Sequence, residues 1–101
     1  MHQFPLRVYY EDTDLAGIVY YANYLKFIER GRSEWLRDLG IDQVALKREG
    51  MVFVVRRVEA DYLAPAHFDD HLSVESQLQE IGSARIAMRQ SVIRAGKTLF
   101  S

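Results

Sequence analysis

The residues best suited to chemistry lie near the start of the chain, where Glu11, Asp12 and Asp14 place three carboxylates within four positions. A carboxylate next to a reacting carbonyl can act as a general base toward water or as a direct nucleophile. A predicted helix follows, and its first backbone N–H groups would stabilise an oxyanion, as acyl transfer requires. An acidic loop before a helix is also commonly a solvated turn, so residue type alone leaves both interpretations open.

Two other motifs with a D-x-D pair do not fit this segment. A calcium loop that opened at Asp12 would need an oxygen ligand at its fifth position and Glu at its twelfth, where this chain has Ala16 and Asn23. The aspartyl nucleophile of haloacid-dehalogenase-type phosphatases needs Thr or Val at the position of Ala16, and a larger α/β domain. Within the pair, Asp12 is expected to position the loop through hydrogen bonds to nearby N–H groups.

A second polar cluster, His67-Phe68-Asp69-Asp70-His71, contains residue types that bind metals. We expect it to lie in a turn before a strand, where the spacing of the two histidines does not place them on one face. We therefore predict no metal site and no cofactor.

Length and composition indicate one globular domain. The chain has 101 residues, of which 49% are hydrophobic and 27% charged, and its net charge is −1. The absence of cysteine excludes disulfides and thiol catalysis. No Lys/Arg run is long enough to bind nucleic acid, and no window approaches the ~20 apolar residues of a membrane span. We expect a cytoplasmic protein with no nucleic-acid partner and no membrane span.

The acidic segment lies between a predicted strand and a predicted helix. The strand is Phe4–Tyr10, the loop Glu11–Ala22 has no hydrophobic period, and Asn23 is a candidate N-cap. The helix is predicted from about Tyr24 to Leu39, with Gly40 ending it. One face of this amphipathic helix is predicted to consist of Leu25, Ile28, Arg32, Trp35, Leu36 and Leu39, and Arg32 interrupts its apolar character.

The remaining chain is predicted to be mainly sheet. A short helical turn is expected within Ile41–Glu49, and strands within Val52–Leu63, Leu72–Ile81 and Ala84–Arg94, the last two with period-two alternation. One helix that buries its stripe against one antiparallel sheet is an α+β, two-layer design. Gly31, in the middle of the helix, indicates close approach of another backbone.

The acidic segment also resembles a known signature. Tyr10-Glu11-Asp12-Thr13-Asp14-Leu15-Ala16-Gly17-Ile18-Val19-Tyr20, followed by Tyr24, is similar to that of the 4-hydroxybenzoyl-CoA thioesterase family, and most similar to its Tol–Pal-associated (YbgC-type) acyl-CoA thioesterases. Phe53-Val54-Val55-Arg56-Arg57, Tyr62-Leu63-Ala64-Pro65-Ala66 and Asp69-Asp70 resemble the same group. The resemblance implies a hot-dog fold, with a long helix on a curved antiparallel sheet, and assembly as a homodimer or homotetramer.

The resemblance also implies roles for individual residues. Asp14, the second Asp of the pair, corresponds to the catalytic nucleophile or general base toward the thioester carbonyl of an acyl-CoA. Backbone N–H groups around Tyr20 and Tyr21 would polarise that carbonyl, and Tyr10 would line the pocket. Many YbgC-type members have histidine at the position of Tyr21, whereas the 4-hydroxybenzoyl enzymes have tyrosine. The resemblance therefore does not determine which acyl group is the substrate.

Other residues are expected to contact the substrate. Arg56 and Arg57 suit CoA phosphates, because guanidinium groups form paired hydrogen bonds to phosphate. Ser83, in a predicted turn, is expected to contact the ligand. Gly17 would allow both the turn and close approach of the ligand. An acyl carrier protein is a further candidate partner.

Two other functions are weighed against hydrolysis. A non-catalytic hot-dog module would bind acyl groups, or an acyl-carrier or envelope partner; a hot-dog dehydratase would bring a histidine near its acid, and none lies near Asp14 in the sequence. Members of the resembled family continue through a further strand inside the sheet. Residues 1–101 are therefore expected to form a single hot-dog domain without that C-terminal strand. Either they are part of a longer protein, or, if the chain is complete, exposed edges, re-pairing across subunits or lost activity are expected.

Overall fold

One long helix packs on one face of an antiparallel sheet in the computed structural model, which describes all residues from Met1 to Ser101. The elements are β1 (His2–Arg7), a 3₁₀ turn (Tyr10–Asp12), α1 (Asn23–Asp38), α2 (Gln43–Arg48), β2 (His71–Ile81), β3 (Ile86–Arg94) and β4 (Lys97–Phe100). The strands lie in the order β1-β2-β3-β4. The predicted α+β class is therefore confirmed. Neither helix combines the length and the apolar character that crossing a bilayer demands.

The alternation predicted for β2 and β3 is present in the sheet. Leu72, Val74 and Ser76 of β2 are buried on the helix side, and Val92 of β3 lies opposite Val74. Leu78, which continues the same alternation, is exposed instead. The ladder between β2 and β3 shifts register just after Leu78, and all residues of β2 from Gln77 onward are exposed. The helix thus covers only the first half of this hairpin.

Helix α1 buries a face that is rotated from the predicted one. Its buried residues are Tyr24, Phe27, Ile28 and Gly31. A Cβ atom on Gly31 would lie 2.6 Å from Cγ1 of Val74, so the helix comes closest to the sheet along the line of this glycine. The neighbour is a side chain and not the backbone that was expected. Of the other predicted residues, Leu25 and Leu39 are exposed, whereas Arg32, Trp35 and Leu36 are half-buried.

The start of α1 corrects a second prediction. Asn23 is the first helical residue, Ala22 occupies the N-cap position, and no side chain caps the helix. The Asn23 side-chain amide instead donates a hydrogen bond of 2.9 Å to the carbonyl oxygen of Asp12. Because this bond uses its side chain, Asn23 ties the preceding loop to the helix. At the other end, Gly40 has a φ of +80°, as its predicted role requires.

The strand predicted at Val52–Leu63 is wrong for most of its length. Residues 51–61 form no ladder and are exposed. Only the end of the segment pairs with the sheet: Asp61 N–H donates to Ser101 O and Leu63 N–H to Leu99 O, both at 2.8 Å. Apolar composition favours a strand, but a strand also needs a neighbouring backbone to pair with. The free edge of β4 is already paired with residues 61–64, so no strand edge is left for the residues before them.

Candidate active site

Asp14 lies in a tight turn that leaves half of its carboxylate free. Its N–H donates to Ile18 O, and Gly17 N–H donates to Asp14 O, both at 2.9 Å. Oδ1 accepts the N–H of Ala16 at 2.9 Å, whereas Oδ2 makes no hydrogen bond within the chain. Gly17 closes the turn with a φ of +80°, which favours glycine. The exposed Asp14 is thus fixed in position by one oxygen and open to a reactant at the other.

Asp12 binds neighbouring groups through one carboxylate oxygen and its carbonyl oxygen, in agreement with its predicted role in positioning the loop. Its Oδ2 accepts the N–H of Tyr9 at 2.8 Å, which caps the 3₁₀ turn. Its carbonyl oxygen accepts the N–H of Tyr20 and the side chain of Asn23, each at 2.9 Å. Asp12 therefore joins the beginning and the end of the acidic loop to the helix start.

The helix start presents unpaired backbone donors close to this loop. The N–H groups of Tyr21, Ala22 and Tyr24 donate no hydrogen bond within the chain, because the first N–H groups of a helix have no partner in a preceding turn. Tyr24 is buried. Tyr20 differs from the expectation, since its N–H is already bonded to Asp12. The donors available to a ligand here are accordingly those of Tyr21 and Ala22.

Exposed aromatic rings flank the acidic loop. The rings of Tyr20 and Tyr21 have their centroids 4.9 Å apart. The neighbouring Tyr21 hydroxyl most strongly, then partial burial, then the Asp14 carboxylate raise the pKa of Tyr20. Tyr10 packs edge-on against Phe68 with centroids 6.4 Å apart, and both rings are exposed. Tyr10, Tyr20 and Tyr21 thus all belong to the surroundings of the loop that carries Asp14.

The residues that follow Pro65 hold the acidic loop through hydrogen bonds. Val19 N–H donates to Ala66 O at 2.8 Å, and Ala66 N–H donates to the hydroxyl of Tyr24 at 3.1 Å. Val19, Ala66 and Tyr24 are all buried. Burial is the main cause that raises the pKa of Tyr24, although the bond from Ala66 opposes it. The hydroxyl therefore stays neutral and holds the Ala66 backbone.

Asp70 fixes the turn that contains Ala66. Its Oδ2 accepts the N–H of His67 at 2.8 Å and an Nη1–H of Arg94 at 2.7 Å. Burial of the carboxylate acts to raise its pKa, but the bonds from His67 and Arg94 outweigh burial and hold the pKa of Asp70 below its ordinary value. Arg94 also reaches Pro65 O at 3.3 Å. Arg94 of β3 thereby holds the turn to which the acidic loop is bonded.

The histidines of this turn have partners other than a metal. Nε2 of His71 lies 2.8 Å from Nη2 of Arg7, and Nδ1 of His67 lies 3.9 Å from Oδ2 of Asp70. No group of three or more His, Asp or Glu side chains converges anywhere in the structure.

Three predicted substrate contacts are not brought to Asp14 within one chain. Arg56 and Arg57 lie in the exposed segment before Tyr62, where Arg57 pairs with Glu59. Ser83 lies in the turn between β2 and β3, whereas the acidic loop lies near the opposite end of β2, where Arg7 pairs with His71. At about 3.3 Å per residue, the length of β2 separates Ser83 from the loop by roughly 30 Å.

Residue type and spacing alone do not single out Tyr62, Ala66 or Arg94. They come from the segment before β2 and from β3, far from Asp14 in the chain. Ala66 acts through its backbone, Tyr62 through its hydroxyl and Arg94 through its guanidinium group. Tyr62 and Ala66 fall in a string quoted for the resemblance, which was the only signal that could have found them.

Comparison with known proteins agrees with this arrangement. Residues 16–101 match the family model of the thioesterase superfamily, and the chain belongs to that superfamily. The chain is 40% identical over 101 residues to the acyl-CoA thioester hydrolase YbgC of Escherichia coli O6:H1, which covers all of this chain and 75% of that protein. It is 46% identical over 92 residues to the acyl-CoA thioesterase YbgC of Haemophilus influenzae, covering 90% of this chain and 68% of that one.

A solved structure supports the same fold. The probable thioesterase from Bartonella henselae superposes with a TM-score of 0.92 at 41% identity and covers 98% of this chain and 83% of its own. The predicted hot-dog fold and the predicted family are both confirmed.

Proposed function

We propose that this protein is an acyl-CoA thioesterase, which converts an acyl-CoA and water into a carboxylic acid and CoA. The observation that carries the proposal is the free Oδ2 of Asp14 in a loop that ends at two unpaired amides, those of Tyr21 and Ala22. Membership of the thioesterase superfamily and relatives named as acyl-CoA thioester hydrolases support it.

In this proposal, the thioester carbonyl oxygen faces the amides of Tyr21 and Ala22, which stabilise the negative charge that develops on it. As a nucleophile, Oδ2 of Asp14 bonds to the carbonyl carbon, the C–S bond breaks, CoA leaves as thiolate, and water hydrolyses the resulting anhydride. As a general base, Asp14 takes a proton from the water that attacks the same carbon. Both routes give the same products.

A panel of aliphatic and aromatic acyl-CoAs tests this function through release of free thiol. We expect wild-type protein to release CoA from at least one member, and Asp14→Asn to lower turnover by roughly 10²–10⁴. Glu11→Gln is the matched control, because Glu11 is an exposed carboxylate of the same loop without a hydrogen-bond partner. Turnover of Asp14→Asn equal to that of Glu11→Gln would remove Asp14 from the mechanism.

The same panel distinguishes hydrolysis from simple binding. An acyl-CoA that binds to wild-type protein without any release of thiol would favour the non-catalytic module instead.

Recognition of CoA is proposed to involve a second copy of the chain. Arg56 and Arg57 provide exposed guanidinium groups for the CoA phosphates. Ser83 lies too far from Asp14 of its own chain and would contribute to the site of a partner copy. This arrangement requires a homodimer or homotetramer; an acyl carrier protein could present the acyl group in place of CoA.

A further inference from the structure

The two peptide groups on either side of Tyr21 are held in different ways. The carbonyl of Tyr20 accepts the N–H of Asn23 at 2.8 Å, which is a local turn bond. The carbonyl of Tyr21 receives no backbone N–H, because the N–H of Leu25 donates to Ala22 O at 3.2 Å. Its only partner in the chain is the hydroxyl of Tyr62, which donates at 2.9 Å.

This single bond sets the direction of a neighbouring N–H group. The peptide between Tyr21 and Ala22 is planar and trans, so its C=O and its N–H point in opposite directions. Holding the Tyr21 oxygen on one side therefore aims the Ala22 N–H to the other. That N–H is one of the unpaired donors at the helix start.

The sheet in turn holds Tyr62 in place. The residues on both sides of it are bonded to β4, through Asp61 to Ser101 and through Leu63 to Leu99. Its ring packs edge-on against Phe100, with centroids 5.1 Å apart. The Tyr62 hydroxyl is thus held in place by the sheet and donates to a carbonyl at the start of α1.

We propose that Tyr62 is a positioning residue for the oxyanion-binding amides, and that it acts through the Tyr21 carbonyl without touching the substrate. The inference rests on the proposed thioesterase function, because it assigns the amides of Tyr21 and Ala22 to the thioester carbonyl. A donor aimed at the charge of the transition state contributes only while its direction is held. Loss of the hydroxyl should therefore lower kcat and leave KM nearly unchanged.

Tyr62→Phe tests the proposal, since it removes only the hydroxyl and keeps the ring. We expect kcat to fall by about ten- to a hundredfold, the range that follows from a small misplacement of a catalytic group. KM should change by less than about threefold, and the melting temperature should stay close to that of the wild type. Tyr9→Phe is the control, because the Tyr9 hydroxyl is exposed and makes no hydrogen bond within the chain.

A second measurement separates this inference from the function on which it rests. In ¹⁵N-labelled protein without substrate, the amide resonance of Ala22 should shift in Tyr62→Phe and stay in place in Tyr9→Phe. An unmoved Ala22 resonance overturns the proposal, and so does an unchanged kcat in an active enzyme. Wild-type protein that releases no thiol would refute the thioesterase function, whereas the Ala22 resonance would still decide whether Tyr62 orients this amide.

Discussion

Asp12 and Asp14 stand two positions apart, and each accepts one backbone N–H at one carboxylate oxygen. They differ in exposure and in their carbonyl groups. Asp12 is half-buried, and its carbonyl oxygen accepts both the Tyr20 N–H and the Asn23 side chain, whereas Asp14 is exposed. The resemblance to a known family selected Asp14, and its greater exposure agrees with that choice, because a reactant must reach the carboxylate.

Asp70 supplies a prediction about stability and pH. Asp70→Asn should lower the free energy of unfolding at pH 7 by about 1–3 kcal/mol, because a partly buried Arg94 loses a charged partner. The pKa of Asp70 is lower in the folded state, so its contribution is complete above the unfolded pKa of about 3.9. It should disappear as the pH falls through the lower folded value.

Urea denaturation of the wild type and of Asp70→Asn, at pH 7 and below pH 3, measures the difference in their free energies of unfolding. Asp69→Asn is the control: Asp69 forms an exposed pair with Arg7, and asparagine tolerates its positive φ of 71°. A deficit in Asp70→Asn that stays equally large in acid would show that the charge is not responsible.

At the scale of elements, patterns that depend on one segment alone were predicted well. Alternation located Leu72–Ile81 and Ala84–Arg94, and the positive φ of Gly40 followed from its place after the helix. Features that depend on contact with another segment of the chain were not predicted well. The buried face of α1 is decided by Gly31 against Val74, and the exposed segment 51–61 lacks the neighbour that would make it a strand. Hydrophobicity in one segment cannot reveal either partner.

Gly31→Ala tests the contact between helix and sheet. The added methyl would lie 2.6 Å from Cγ1 of Val74, and such overpacking costs about 1–3 kcal/mol. The better helix propensity of alanine returns about 1 kcal/mol. We expect urea denaturation to show a lower free energy of unfolding for Gly31→Ala than for the wild type. The double variant Gly31→Ala/Val74→Ala should be more stable than the Val74→Ala single variant. Greater stability of Gly31→Ala alone would show that α1 is not held by this close approach.

At the scale of the molecule, the segment before Tyr62 is an apolar surface at the edge of the sheet. Asp61 and Leu63 pair with the end of β4 and with Ser101, whereas residues 52–60, which precede them, have no backbone partner within the chain. The large apolar side chains exposed in this segment are Met51, Val52, Phe53, Val54, Val55 and Val58. We predict that a second copy of the chain covers them in solution.

Amide hydrogen exchange tests this prediction. Residues 52–60 should exchange fast at low protein concentration and more slowly at high concentration, where a second copy covers them. Residues 72–76, inside the sheet, serve as the control and should be slow at both concentrations. Exchange of residues 52–60 that stays equally fast at high concentration would show that no second copy covers this segment.

The acidic loop takes its shape mainly from bonds between backbone atoms. Asp14 to Ile18, Gly17 to Asp14, Val19 to Ala66 and Tyr20 to Asp12 are all main-chain pairs. Such bonds do not depend on the identity of the exposed side chains of Leu15, Tyr20 and Tyr21. Substitutions at these three positions should therefore leave the backbone of the loop, and with it the Asp14 carboxylate, in place. If the proposed function holds, the side chains around Asp14 are thus free to vary while the position of the carboxylate is kept.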